Sequence, residues 1–233
     1  GDTDNGLLLA CDWSIPAGGL ADEPPKSPRG LRCGQWDGVM TIVIVNPNST
    51  VSMTEAMLAQ ARKAAPQQCF EGWTSHNGPP AIQGPKDGET ATEPLLQLVD
   101  QASKSGAEGI VIGCFDDTAL DEAVACANCP VIGIGQASYH FAVLRNWRFS
   151  VVTTLSVSVP IIEDNIQRLG LGPFVSKVRA SEVPVLDLDA APGKASEVIK
   201  SEALQAQNLD EISAIILGCA GMVEVYDQVE RAL

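Results

Sequence analysis

Gly109-Ile110-Val111-Ile112-Gly113-Cys114 recurs 105 residues on, counted from Cys114 to Cys219, as Ala214-Ile215-Ile216-Leu217-Gly218-Cys219. Each stretch is an apolar run of strand length closed by one glycine and one thiol, and each leads into a segment that reads as helical. In an open α/β sheet, ligands bind outside the carboxyl ends of the strands. Two such ends, each carrying a thiol, place sulfurs on both sides of one small substrate. That arrangement suits two-base proton transfer at carbon.

Outward from these strands the chain alternates strand and helix, the pattern of a parallel α/β sheet. A first strand over 42–45 precedes a helix that opens on the capping-box pattern Ser52-x-x-Glu55 and runs towards Ala65. A second strand is expected over 69–75, then a helix over 93–104 with Gly106 as its stop. The first thiol strand is followed by a helix over 117–127 and a strand over 130–134. The pattern then restarts with a strand over 149–152, a helix from about Pro160, a strand over 178–180, a helix over 193–207 and the second thiol strand. Val45 to Val152 is a step of 107 residues, close to the cysteine step, and matching offsets point to an internal duplication.

The expected fold is therefore α/β: two pseudo-symmetric lobes, each with a mainly parallel sheet flanked by helices, and the active site in the cleft between them. Residues 41–148 form the first lobe and 149–233 the second, and the lobes can exchange terminal segments. Residues 1–40 carry Pro16, Pro24, Pro25 and Pro28, several glycines and no sustained apolar period. They read as a leader or extension outside the core.

Composition narrows the function. The 233 residues are 45% hydrophobic with a mean hydropathy of +0.08, enough for a sizeable core. Fifteen basic against 29 acidic residues give a net charge of −14. Nucleic acid and anionic membrane surfaces, which need a basic face, are poor partners for such a chain. No apolar run reaches the ~18 residues of a membrane span. Seven cysteines, an odd number in a chain of this length, do not read as a disulfide framework, and a reducing cytoplasm is the simplest home. Two histidines, His76 and His140, argue against a histidine-rich metal site and a histidine-based triad.

Other motifs carry less. Most free cysteines are small buried hydrophobes. What separates Cys114 and Cys219 is their shared place after strand and glycine, where a helix N-terminus lowers a thiol's pKa from about 8.5. Cys126-x-x-Cys129 has redox or zinc spacing but precedes a strand, has no second ligand pair, and is read as structural. Gly133-x-Gly135 lacks the rest of a dinucleotide fingerprint, and no Walker loop is present. Asp116-Asp117 can face a cation, but Asp117 is better placed to cap a helix. Asn48, Ser49 and Thr153 sit at strand ends, where hydrogen bonding to a polar substrate and helix capping are equally good roles.

Asn46-Pro47-Asn48-Ser49-Thr50, Gly113-Cys114-Phe115-Asp116-Asp117-Thr118, Phe149-Ser150-Val151-Val152-Thr153-Thr154 and Leu217-Gly218-Cys219-Ala220-Gly221-Met222 occur in this order. Together they resemble the hydantoin racemase family, which includes allantoin racemases and lies within the Asp/Glu racemase superfamily. The resemblance spans about residues 41–233. It implies a cofactor-independent, metal-free isomerase that inverts C5 of a 5-substituted hydantoin or of allantoin, with a small ureide as its partner; a homo-oligomer is compatible with the sequence, which does not set the oligomeric state. Cys114 and Cys219 match the two catalytic cysteines, one removing the C5 proton and the other reprotonating the opposite face. Backbone N–H groups around Phe115-Asp116 and Ala220-Gly221 are candidates for holding the enolate oxygen, and Asn48 and Thr153 match cleft-facing positions. Amino-acid racemases of the superfamily resemble Cys-Asn-Thr and Cys-Thr-His where this chain has Cys-Phe-Asp and Cys-Ala-Gly, so a cyclic ureide fits better than an amino acid. Family members continue into a further strand and helix past the position of Leu233. The alternatives are a superfamily decarboxylase, isomerase or amino-acid racemase, or, in another class, a non-catalytic ureide-binding protein. A racemase needs both thiols, a decarboxylase one and a binder neither.

Overall fold

A computed structural model describes residues 7–9 and 40–233. Its strands are β1 (Leu7–Leu9), β2 (Thr41–Asn46), β3 (Cys69–Thr74), β4 (Gly109–Ile112), β5 (Val131–Gly133), β6 (Phe149–Thr153), β7 (Val175–Ala180) and β8 (Ala214–Gly218). They form two four-stranded parallel sheets, ordered β3-β2-β4-β5 and β7-β6-β8-β1. The two orders coincide: β6 repeats the place of β2, and β8 repeats the place of β4. The thiol strands therefore occupy equivalent positions in the two lobes, as the repeated motif requires. In the second sheet the place of β5 is taken by β1, which pairs with β8 through Leu7–Ala214 to Leu9–Ile216. Residues 1–6 and 10–39 of the expected leader lie outside the described residues.

Parallel strands need crossover helices, and these cover the sheet faces. They are α1 (Val51–Ala64), α2 (Pro85–Lys104), α3 (Leu120–Cys126), α4 (Ile134–Leu144), α5 (Val159–Arg168), α6 (Asp187–Ala190), α7 (Pro192–Leu209) and α8 (Tyr226–Glu230). In the first lobe Val43, Val45, Ile110 and Ile112 pack against Leu95 and Val99 of α2 and Ala123 of α3. In the second, Val152, Ile215 and Leu217 pack against Ile199 and Ala203 of α7. A third cluster joins the lobes: Tyr139 and Ala142 of α4 meet Phe149, Val151 and Ile216, with Ile162 and Ile166 of α5. Among the described residues no helix is long and apolar enough to cross a membrane.

Several expected boundaries move, each for a local reason. Helix α2 starts at Pro85, eight residues before the expected start at Glu93. Pro85 takes the first turn, where its missing N–H costs nothing, and the helix tolerates Pro94 in its interior. The capping box at Ser52 does not form, because α1 begins one residue earlier. The Ser52 hydroxyl donates to Asp189 in the other lobe instead. Helix α3 starts at Leu120, because Asp117 and Ala119 adopt left-handed backbone (φ +49° and +50°). Helix α4 follows β5 directly, where no helix was expected. Gly106 does stop α2, with φ +91°. Cys69 is disulfide-bonded, which the odd cysteine number did not foretell.

Candidate active site

Both thiols stand just past the carboxyl end of a strand, and the preceding glycines explain how they get there. Gly113 donates its N–H to the Val45 carbonyl at 2.8 Å, and a Cβ there would lie 2.6 Å from Met57 Sδ. Cys114 is thus delivered over the end of β2. Its sulfur lies 3.4 Å from the Thr118 hydroxyl and accepts the Asp116 backbone N–H. A Cβ on Gly218 would lie 2.8 Å from Val151. Cys219 follows, and its sulfur accepts the backbone N–H groups of Gly221 and Met222. Cys114 and Cys219 line one cavity between the lobes, and the field of Cys219 is felt at Cys114.

The expected site residues assemble there with one exception. Asn48, Phe115, Asp116, Thr153, Ala220 and Gly221 line the cavity; Ser49 does not, and its N–H bonds the Pro79 carbonyl at 2.9 Å. Asn48 is held by its own oxygen, which accepts from Asn46 Nδ2 (3.0 Å) and the Thr50 N–H (2.9 Å). Among the described residues its amide nitrogen donates to Met53 Sδ at 3.5 Å, a weak acceptor. The Thr153 hydroxyl donates to the Gly218 carbonyl, tying β6 to β8 beside the second thiol. The Phe115 ring is buried edge-on against Tyr139. Asp117 does act as a cap, but for α4: its carboxylate accepts the N–H groups of Gly135 (3.0 Å) and Gln136 (2.6 Å). It thereby pins the loop after Cys114 to the next crossover. The N–H groups of Asp116 and Gly221, expected to meet an enolate oxygen, are directed at sulfur.

Burial decides the electrostatics. It pushes the Cys219 thiol up to about 12, with the Asp116 carboxylate adding to the rise and the two N–H bonds opposing it. Cys114 is raised still further, by burial first and Asp116 second. The expected helix N-terminus is not there at Cys114, which stands six residues before α3, and Cys219 opens only a 3₁₀ turn over Ala220–Val225; the single N–H groups of Asp116, Gly221 and Met222 oppose the rise, and desolvation outweighs them. Asp116 is raised to about 6 by burial against the Ser158 hydrogen bond, and Asp117 to about 7 by burial against its two N–H bonds. In the closed cleft both thiols are neutral at pH 7.

An unfolded thiol ionises near pH 8.5, whereas folded Cys219 holds its proton to about 12. Its contribution is complete below about pH 8.5 and is lost as pH rises towards 12. Thermal melting from neutral to strongly alkaline pH should show a smaller alkaline fall in Cys219→Ala than in the wild type. Parallel curves would contradict the buried-thiol assignment.

Sequence reasoning missed six lining or contact residues: Met53, Ile82, Thr154, Ser158 and Val185 on the cavity wall, and Thr118 on the Cys114 sulfur. Thr118 had a signal, four residues after the thiol in the same motif. Ile82 and Val185 lie in irregular segments and had none. Cross-lobe contacts close the cavity. Ser52 bonds Asp189 and the Gln83 side chain accepts the Val185 N–H; Ser158 and Asn165 bond Asp116, and Arg168 pairs with Asp121. The cavity is about 30 Å³, room for a water or two. Beside it opens a cleft of about 720 Å³ that shares Ile82 and Asp116 with it. A cavity of about 30 Å³ does not hold a ring-sized ligand. Among the described residues no group of three or more His, Cys, Asp or Glu is arranged to hold a metal ion.

Known proteins resemble this chain over the same span. The sequence profile of the family described as Asp/Glu/Hydantoin racemase matches residues 42–233. A hydantoin racemase from Rhizobium meliloti is 39% identical over 194 residues, 83% of this chain and 80% of that protein. The structure of an allantoin racemase from Klebsiella pneumoniae superposes with a TM-score of 0.78 at 34% identity, covering 82% of this chain and 79% of its own. The allantoin racemase from Pseudomonas fluorescens gives 0.77 at 32%, covering 82% of each chain.

Proposed function

The chain belongs to the Asp/Glu/hydantoin racemase family, and from that premise we propose that it inverts C5 of 5-substituted hydantoins or allantoin by proton transfer between Cys114 and Cys219. Its relatives named hydantoin and allantoin racemases are isomerases. One observation carries the reading: two thiols at equivalent strand ends of duplicated lobes line a single cavity.

One sulfur, as thiolate, takes the C5 proton. The electron pair passes into the adjacent ring carbonyl as an enolate, and the opposite thiol returns a proton to the other face. The reverse reaction exchanges the roles. The N–H groups of Asp116, Gly221 and Met222 stabilise whichever sulfur is ionised. The Asn48 amide nitrogen, whose bond is to the weak acceptor Met53 Sδ, is the side-chain donor proposed for a ring carbonyl. Because both thiols are raised in the closed cleft, the productive thiolate forms as the lobes part and water reaches the sulfur.

Polarimetry on enantiopure hydantoins and allantoin tests the function. Rotation should decay to zero with the compound recovered intact, after dialysis against a chelator and with no nucleotide added. Release of carbon dioxide from a carboxylated substrate would favour the decarboxylase alternative; tight binding without loss of rotation would favour the binder.

The Thr118 hydroxyl gives a smaller test. It supports sulfur as thiolate from 3.4 Å. Losing a hydrogen bond to a charged group costs about 1.5 kcal/mol, so Thr118→Val should lower kcat/KM roughly tenfold. The alkaline rise of its pH–rate profile should move to higher pH. An unmoved profile would remove Thr118 from the reaction.

A further inference from the structure

Asp116 is the one carboxylate on the thiol cavity, and no lysine or arginine lines that cavity among the described residues. Its setting is fixed from three sides. The backbone N–H is directed at the Cys114 sulfur, the carbonyl accepts Asn165 Nδ2 at 2.9 Å, and Oδ2 accepts the Ser158 hydroxyl at 3.1 Å. Oδ1 makes no hydrogen bond among the described residues, and the residue borders both the thiol cavity and the wide outer cleft. The opposing wall is apolar, built from Met53, Ile82 and Val185.

We propose that Asp116 determines substrate selectivity at this site: its free carboxylate oxygen favours hydantoins whose C5 substituent carries N–H donors or a positive charge, and rejects those bearing a carboxylate. This rests on the racemase reading. Oδ1 is an acceptor with no partner of its own, so an ammonium, guanidinium or ureido group satisfies it. A substituent carboxylate would face Asp116 at short range in a poorly screened site with no cation to receive it. At neutral pH Asp116, raised to about 6, is largely ionised and can act in this way.

The outer cleft carries acidic side chains, among them Glu89, Glu122 and Asp164, and one cation, Arg168, which is paired with Asp121. The acidic groups can steer a cation from a distance, but steering by solvent-exposed charges is screened by salt and a contact inside the cavity is screened much less. The two sources of preference are therefore separable.

The experiment measures kcat/KM for racemisation of four enantiopure hydantoins by circular dichroism near neutral pH. Their C5 substituents are aminobutyl, ureido, isobutyl and carboxyethyl. The wild-type protein should prefer aminobutyl and ureido to isobutyl by roughly tenfold and disfavour carboxyethyl by a similar factor, each tenfold step being ~1.4 kcal/mol. Salt at about 0.5 M should leave the aminobutyl-to-carboxyethyl ratio within roughly threefold. Asp116→Asn should collapse that ratio to within roughly fivefold, and Asp116→Glu should keep its direction. Reading a ratio cancels any uniform change in rate. An unchanged ratio in Asp116→Asn, or a wild-type ratio that vanishes in high salt, would overturn the assignment. The wild-type salt comparison decides alone if the variant does not fold. Failure to racemise all four compounds would instead overturn the racemase reading. Dissociation constants for the same panel, by calorimetry, then carry the same comparison for Asp116, and equal affinities or no binding would overturn it too.

Discussion

Cys114→Ser and Cys219→Ser are each expected to lower racemisation roughly 10³-fold, the scale of a lost general acid or base. A serine hydroxyl is far too weak an acid to supply the thiol's proton and too rarely ionised to remove one from C5. The supports around each sulfur remain in the variants: the Thr118 hydroxyl and Asp116 N–H at position 114, the Gly221 and Met222 N–H groups at 219. Folding should therefore be nearly unaffected, and an unchanged melting temperature is the control. Neither single variant should keep more than a small residual rate, because inversion needs both faces of C5. Near-wild-type racemisation in either would remove that thiol from the mechanism.

Gly135→Ala should cost roughly 10² in kcat/KM, although residue 135 lies outside the cavity. A Cβ there would come 2.4 Å from the Phe115 carbonyl oxygen and 2.8 Å from Asp117 Oδ2. Both belong to the loop that carries Cys114, and one is backbone, which cannot rotate away. Relief of the clash shifts the loop or breaks the cap on α4. Misplacement of a reacting group by about 1 Å costs on the order of 10²-fold, and overpacking of this kind destabilises by about 1–3 kcal/mol. Gly193→Ala is the control, since a Cβ there meets nothing within 4 Å and neither activity nor stability should fall. Equal behaviour of the two variants would contradict the role given to the Asp117–Gly135 contact.

What could be read from the chain was what repeats. Apolar runs ending in glycine and thiol fixed β4 and β8 as equivalents, and the sheet orders show them so. Buried parallel strands are read from local composition, so the strand cores were legible while helix starts were not. Those starts depend on partners distant in sequence. Asp117 caps α4 and not the helix that follows it, because Gly135 and Gln136 come to it across β5. Ser52 bonds Asp189 across the lobes, a contact no capping pattern predicts. Met53, Ile82 and Val185 reach the cavity through tertiary packing alone. The direction of the thiol shifts was also out of reach. A motif shows where backbone N–H groups follow each thiol, but the burial that outweighs them belongs to the closed interface of two lobes.

The central claim is that the two sulfurs face opposite sides of C5. Proton NMR in D2O tests it most directly, following exchange of the C5 hydrogen of each enantiomer with Cys114→Ser and with Cys219→Ser, after subtraction of the uncatalysed background. Each variant keeps one thiol, which can ionise, abstract from the face it sees and return solvent deuterium to that face. The prediction is that Cys114→Ser exchanges one enantiomer without inverting it and Cys219→Ser exchanges the other. Equal exchange of both enantiomers by each variant, or full racemisation by either, would contradict it.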